Sequence, residues 1–190
     1  MDIEIGAEAK DKSFNRRVAI TVVALSIFMG LCGVKDGNIV QAMQQAQSDG
    51  VDAWNEYQAT KTKLHIDETA ETQVRLLALS GAPRTVASVD VEMLRLGTEI
   101  AKYKAEIPTL KARADGFSTQ YDALNVHDDQ FDASDALISI AVSIAAVATL
   151  VEMSAALWAS WVFGALGVMM GLAGFLGWSL HSAFLSKLLG

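Results

Sequence analysis

The sequence predicts an all-α fold: three transmembrane helices, with a long extramembrane antiparallel helical hairpin, coiled-coil-like, inserted after the first. Three observations predict it. Residues 18–34 and 136–186 together hold a single charged side chain, Glu152. Apolar residues recur without a break at alternating three- and four-residue spacing across 86–124. Ser80-Gly81-Ala82-Pro83 punctuates two helix-prone stretches as a C-cap glycine followed by proline should.

The first span starts at Val18. Its apolar core, 18–34, covers about 26 Å as a helix, slightly short for a bilayer but workable with Lys35 snorkelling. No A-x-A cleavage site follows it, and Met29-Gly30-Leu31 before Cys32 makes a poor lipoprotein box. The run therefore reads as an uncleaved anchor, 18–36, behind a tail at 1–17. Residues 136–180 as one helix would be about twice the bilayer thickness, which requires a hairpin of two spans. The expected division is a second span at 134–151, a turn at 152–156, a third span at 157–180 and a short segment at 181–190. This division puts the Glu152 carboxylate in the interface, where ionisation costs little. Trp158 and Trp178 then stand about 30 Å apart along the helix, one at each interface.

Lys10, Lys12, Arg16 and Arg17 precede the first span, and only Lys35 follows it closely. The positive-inside rule then keeps the N-terminus in the cytoplasm and the segment 37–133 outside.

That segment is expected to be the hairpin, with its tip near 80–84. Its second arm carries the periodic run: Val86, Val89, Met93, Leu96, Ile100, Tyr103, Ile107, Leu110, Ala114, Phe117, Tyr121 and Leu124. A run of a/d positions this long predicts a coiled-coil seam, with a kink near Pro108. The first arm, 38–80, is polar and helix-prone, and its seam is ragged. Met43, Trp54, Tyr57 and Leu64 recur, with Gln47, Gly50 and Lys61 between them. Arms of nearly equal length predict a hairpin reaching roughly 60 Å from the bilayer. Two helices leave apolar faces uncovered, so packing against further copies of the chain is expected.

Composition excludes several functions. The chain is 52% hydrophobic with a net charge of −7. From Asp36 to Asp135 there are 17 acidic and 9 basic residues. Such a surface repels phosphate backbones, so no nucleic-acid partner is expected. Cys32 is the only cysteine, which excludes an intrachain disulfide and a cysteine-rich zinc site. There is no phosphate-cradling glycine loop, HExxH motif or nucleophile elbow, and no enzymatic activity or cofactor is expected.

A resemblance spans most of the chain. Gly37-Asn38, Gln47-Ser48-Asp49 and Trp54-Asn55-Glu56-Tyr57-Gln58-Ala59-Thr60-Lys61 carry it, followed by His127-Asp128-Asp129-Gln130-Phe131-Asp132. In these segments, and in the order anchor, helical domain, membrane hairpin, the chain resembles the bacterial membrane-protein family called domain of unknown function 4337. The resemblance implies a fold and a place in a bacterial inner membrane, and it implies no activity. The family usually carries basic residues at the membrane-hairpin turn, where this chain has Glu152.

Small residues mark two helix faces. Gly164, Gly167, Gly171 and Gly174 line one face of the third span, and Ser26, Gly30, Gly33 and Gly37 line one face of the first. Such seams let backbones approach closely, either within one chain or between copies. Asp122, His127, Asp128, Asp129, Asp132 and Asp135 gather before the second span. Asp128, Asp132 and His127 are weak candidates for a cation site. A solvated helix N-terminus accounts for the acids better, since no loop geometry accompanies them. Ser139 and Ser143 continue that face into the span, as lining of a polar path or, better, as interhelical hydrogen-bond donors. His65 and His181 stand without a nucleophile or carboxylate pairing legible around them. Trp54 and Tyr57 suit seam packing better than a ligand stack.

These features predict a homo-oligomeric membrane scaffold or interaction protein in contact with the lipid bilayer. A further, unidentified protein partner is compatible with it. An ion-conducting or gating assembly with an acidic vestibule is the alternative.

Overall fold

The computed structural model describes residues 2–79 and 86–178, with the side chains of 12–79 and 88–178. These residues form three helices and no strand: α1 (Asp2–Leu79), α2 (Val86–Val151) and α3 (Ser154–Leu176). Each is long and apolar enough to cross a membrane. The break expected at 80–83 and the segment 181–190 lie outside the described residues.

α1 continues from the first apolar run into the polar stretch without interruption. Gly30, Gly33, Gly37 and Gly50 do not break it. α2 likewise runs on through Pro108. In a bilayer nothing else can satisfy backbone groups, so Gly30 and Gly33 within the first apolar run are tolerated in the helix.

The turn expected over 152–156 is confined to Glu152 and Met153, and α3 starts at Ser154. The tightness comes from Glu152, which takes φ 51° in the left-handed region. α3 also ends earlier than position 180. Gly177 adopts φ 67° and Trp178 turns back, their N–H groups bonding Gly174 O and Ala173 O. This is a Schellman-type stop that a glycine makes at no steric cost.

The chain divides into two compact units. One is Met1–Met43 with Asp122–Gly190, and the other is Gln44–Tyr121. In the first, Val18, Ala145, Ala148 and Leu157 form one buried cluster, with Phe14, Val22 and Trp161 against it. Leu25, Ile138 and Ala141 form another, packed by Phe28, Met29 and Phe163. Where α2 meets α3, buried Phe131 and Ile138 pack onto glycines of α3 among small alanines and serines, while Ile20, Val23, Ile27, Leu31 and Val34 on α1 face outward. Cys32 is buried beside Ser134, sulfur to hydroxyl oxygen 3.9 Å.

In the second unit α1 and α2 pack against each other. Glu56 pairs with Arg113 and Glu68 with Lys104, and Gly50 meets Phe117, so later residues of α1 meet earlier residues of α2. On α2, Leu96, Ile100 and Ala114 are buried. Met93, Tyr103, Ile107, Leu110, Phe117 and Tyr121 are half-buried at the same spacing. On α1 the buried positions are Ala46, Gly50, Ala53, Thr60 and Leu64. That face is regular: Leu64 stands on it as the sequence predicts, and small side chains fill the rest of what reads as a ragged seam. Trp54 and Tyr57 stack edge to face, and Lys61 lies over the Tyr57 ring. These groups border the contact and leave its centre to alanine and glycine.

Candidate functional site

Van der Waals fit decides where helices can touch when lipid supplies no hydrophobic drive between them. α3 meets its neighbours along its glycine face. A Cβ on Gly164 would lie 3.0 Å from Leu25, and one on Gly167 2.7 Å from Ile138 and 3.1 Å from Ser134 O. On Gly171 it would lie 2.7 Å from Phe28, 2.8 Å from Ser134 Oγ and 2.9 Å from Cys32 Sγ. On Gly174 it would meet the Phe131 ring at 2.8 Å. All four glycines are therefore spent on contacts within one chain, and at the last three nothing larger fits without a shift.

Hydrogen bonds reinforce the same contact. Ser134 Oγ donates to Gly167 O at 2.8 Å, and Ser160 Oγ to Ala141 O at 2.7 Å. Trp161 Nε1 donates to Thr21 Oγ1 at 2.9 Å. Ser134 and Ser160 are fully buried, so water cannot serve as their alternative partner. Sequence reasoning misses this pair, because a serine in an apolar run carries no mark of which backbone it will face. Of the two expected donors, Ser139 does bond across helices, to the Met29 sulfur of α1 at 3.7 Å, while Ser143 bonds Ser139 O within α2.

The glycine face of α1 is different. Ser26, Gly30, Gly33 and Gly37 are all exposed, and a Cβ on any of the three glycines would meet nothing within 4 Å. One of the chain's two small-residue faces is filled by its own helices, and the other is open among the described residues.

The acidic residues form a second focus. Asp128 and Asp132 of α2 come together with Asp36 of α1, a partner that sequence reasoning misses. The signal for it is faint: one carboxylate at the very end of the first span. Asp36 Oδ1 is buried and has no hydrogen-bond partner among the described residues. Partial burial pushes the Asp128 carboxyl up to about 6, helped by the charges of Asp36, Asp132 and Asp129. Asp132 is raised as well, by burial and then by Asp36. Asp122 and Asp135 are exposed. Among the described residues no three His, Cys, Asp or Glu side chains are placed to hold a metal. Nδ1 of His127 is turned to Gln130 Oε1 at 3.2 Å. The three candidate ligands His127, Asp128 and Asp132 therefore do not converge on one point. In the second unit, His65 sits on the surface beside Glu68. His181 lies outside the described residues.

The family model described as domain of unknown function (DUF4337) matches residues 14–177, and the chain belongs to that family. No curated protein and no solved structure matches it.

Proposed function

We propose that this member of the domain-of-unknown-function family is a non-enzymatic, homo-oligomeric membrane scaffold, held in a bacterial inner membrane by three spans. In this reading the N-terminus is cytoplasmic, and an antiparallel coiled-coil hairpin stands outside. The observation that carries it is the open face of α1. The chain closes backbones over glycine along α3, yet among the described residues Ser26 is exposed and Gly30, Gly33 and Gly37 face no neighbour. A second copy covering that face would gain the close packing that small residues permit in lipid. Exposed apolar residues in the water-facing unit support the same reading: Val91 is 69% exposed and Leu94 74%. The opposed order of the Glu56–Arg113 and Glu68–Lys104 pairs supports the hairpin.

The test is the mass of the purified particle in a lipid nanodisc. One chain is 20.3 kDa, and the native protein should run as a multiple of that. Gly33→Leu, which touches nothing inside the subunit, should shift it to smaller species without loss of helix. A native protein that is monomeric at every concentration sinks the proposal.

Ion conduction is the second reading, supported by the carboxylates of Asp36, Asp128 and Asp132 gathered at one place. A hydrated axial path in a map of the assembled particle would replace the scaffold with a pore.

A further inference from the structure

Gln130 is among the most deeply buried polar side chains of the first unit, with 1% of its surface exposed. Its Nε2 donates to Trp178 O at 2.6 Å, across from α2 to the residue that follows the α3 cap. A backbone carbonyl only accepts, so the amide orientation is fixed by chemistry: the nitrogen faces Trp178 and Oε1 faces away from it. Oε1 lies 3.2 Å from His127 Nδ1. Oε1 also only accepts, so Nδ1 must carry the proton and Nε2 is bare when the ring is neutral.

The position of the accepted carbonyl matters. Ser134 and Ser160 bond carbonyls inside helices, where an equivalent carbonyl recurs at each turn of about 5.4 Å. The glycines of α3 also recur at this spacing, so Ile138, packed on Gly167, would meet a further glycine after a slide of one turn. Trp178 O lies beyond Gly177, where α3 has already ended, so among the described residues it belongs to no such series. A slide by one turn in either direction separates it from Gln130.

We infer that Gln130 is an end latch for α3, fixing its last turn against α2 in one register, and that His127 is the positioning residue that orients the Gln130 amide. The inference does not depend on the oligomer. It also assigns His127 a structural proton that it keeps in both charge states, since imidazolium carries an Nδ1 proton as well.

Ring-nitrogen NMR on the histidine-labelled full chain, in lipid nanodiscs at a pH where the ring is neutral, tests the orientation. His127 should show a proton on Nδ1 and none on Nε2. A native His127 with its proton on Nε2 overturns the inference, and this reading needs no variant to fold. Gln130→Leu should release the ring to the Nε2-protonated form. The same variant should speed amide exchange at Gly177 and Trp178 by about threefold or more, with helix content unchanged. His127→Phe keeps a ring but lacks the donor, and should speed that exchange by less. Exchange that is unchanged in folded Gln130→Leu means α3 is held without the latch.

Discussion

Gly171 of α3 and Cys32 of α1 meet so closely that a Cβ on the glycine would stand 2.9 Å from the sulfur. Phe28 and Ser134 close the remaining sides at 2.7 and 2.8 Å. Gly171→Leu must therefore push α3 away from both neighbours. Overpacking of this kind costs about 1–3 kcal/mol or more. The expected outcome is a lower midpoint of unfolding in detergent, seen in the single subunit as well as in any assembly. A melt identical to that of the native protein would mean the three helices pack in another way.

The α2 face makes its own prediction. Leu96 is fully buried and its neighbour Arg95 points outward, paired with Glu92. Leu96→Ala should cost about 2–5 kcal/mol in the second unit, through lost burial and the cavity left behind. Arg95→Ala removes only a surface ion pair and should change stability by less than about 1 kcal/mol. Urea titration of the two variants should separate them clearly. Coincident curves would place Leu96 outside the contact.

Asp128 sets a pH dependence. Its carboxyl titrates at about 6 in the fold against an ordinary value of 3.8, because burial and the charges of Asp36, Asp132 and Asp129 disfavour the ionised form. A raised folded value means its contribution to stability is greatest below the unfolded carboxylate range and is lost as pH rises through about 6. Asp128→Asn, which cannot ionise, should therefore be more stable than the native chain above that range. Solvent screening at this partly exposed site holds the expected gain to about 1 kcal/mol. Below roughly pH 4 the two chains should melt together. A variant less stable than the native protein at neutral pH would mean the carboxylate has a stabilising partner.

Each large apolar seam residue of α2 announces itself in the sequence, because hydropathy and spacing agree from Met93 to Tyr121. The facing side of α1 does not, because Ala46, Gly50, Ala53 and Thr60 are small. Hydropathy separates them poorly from a solvated surface, while the neighbouring Trp54 and Lys61 attract notice from beside the contact. The glycines of α3 are legible as a face, but spacing alone does not say what covers it. That answer lies in Phe28, Cys32, Phe131 and Ile138, residues far away along the chain. Asp36 joins Asp128 for the same reason: their proximity is a property of helix packing. The turn at Glu152 is legible from span length, but its shortness is not, because glutamate is an uncommon choice for a left-handed backbone.

Cys32 is the only thiol in the chain, and its sulfur is enclosed by α2 and α3 in an apolar stretch. A charged maleimide, which reacts from water, has no route to it. Any cysteine introduced at an exposed position is then the sole reactive one, with the native sequence kept otherwise intact. The side on which each helix end emerges can be read by labelling such variants one at a time, against a background that is already silent.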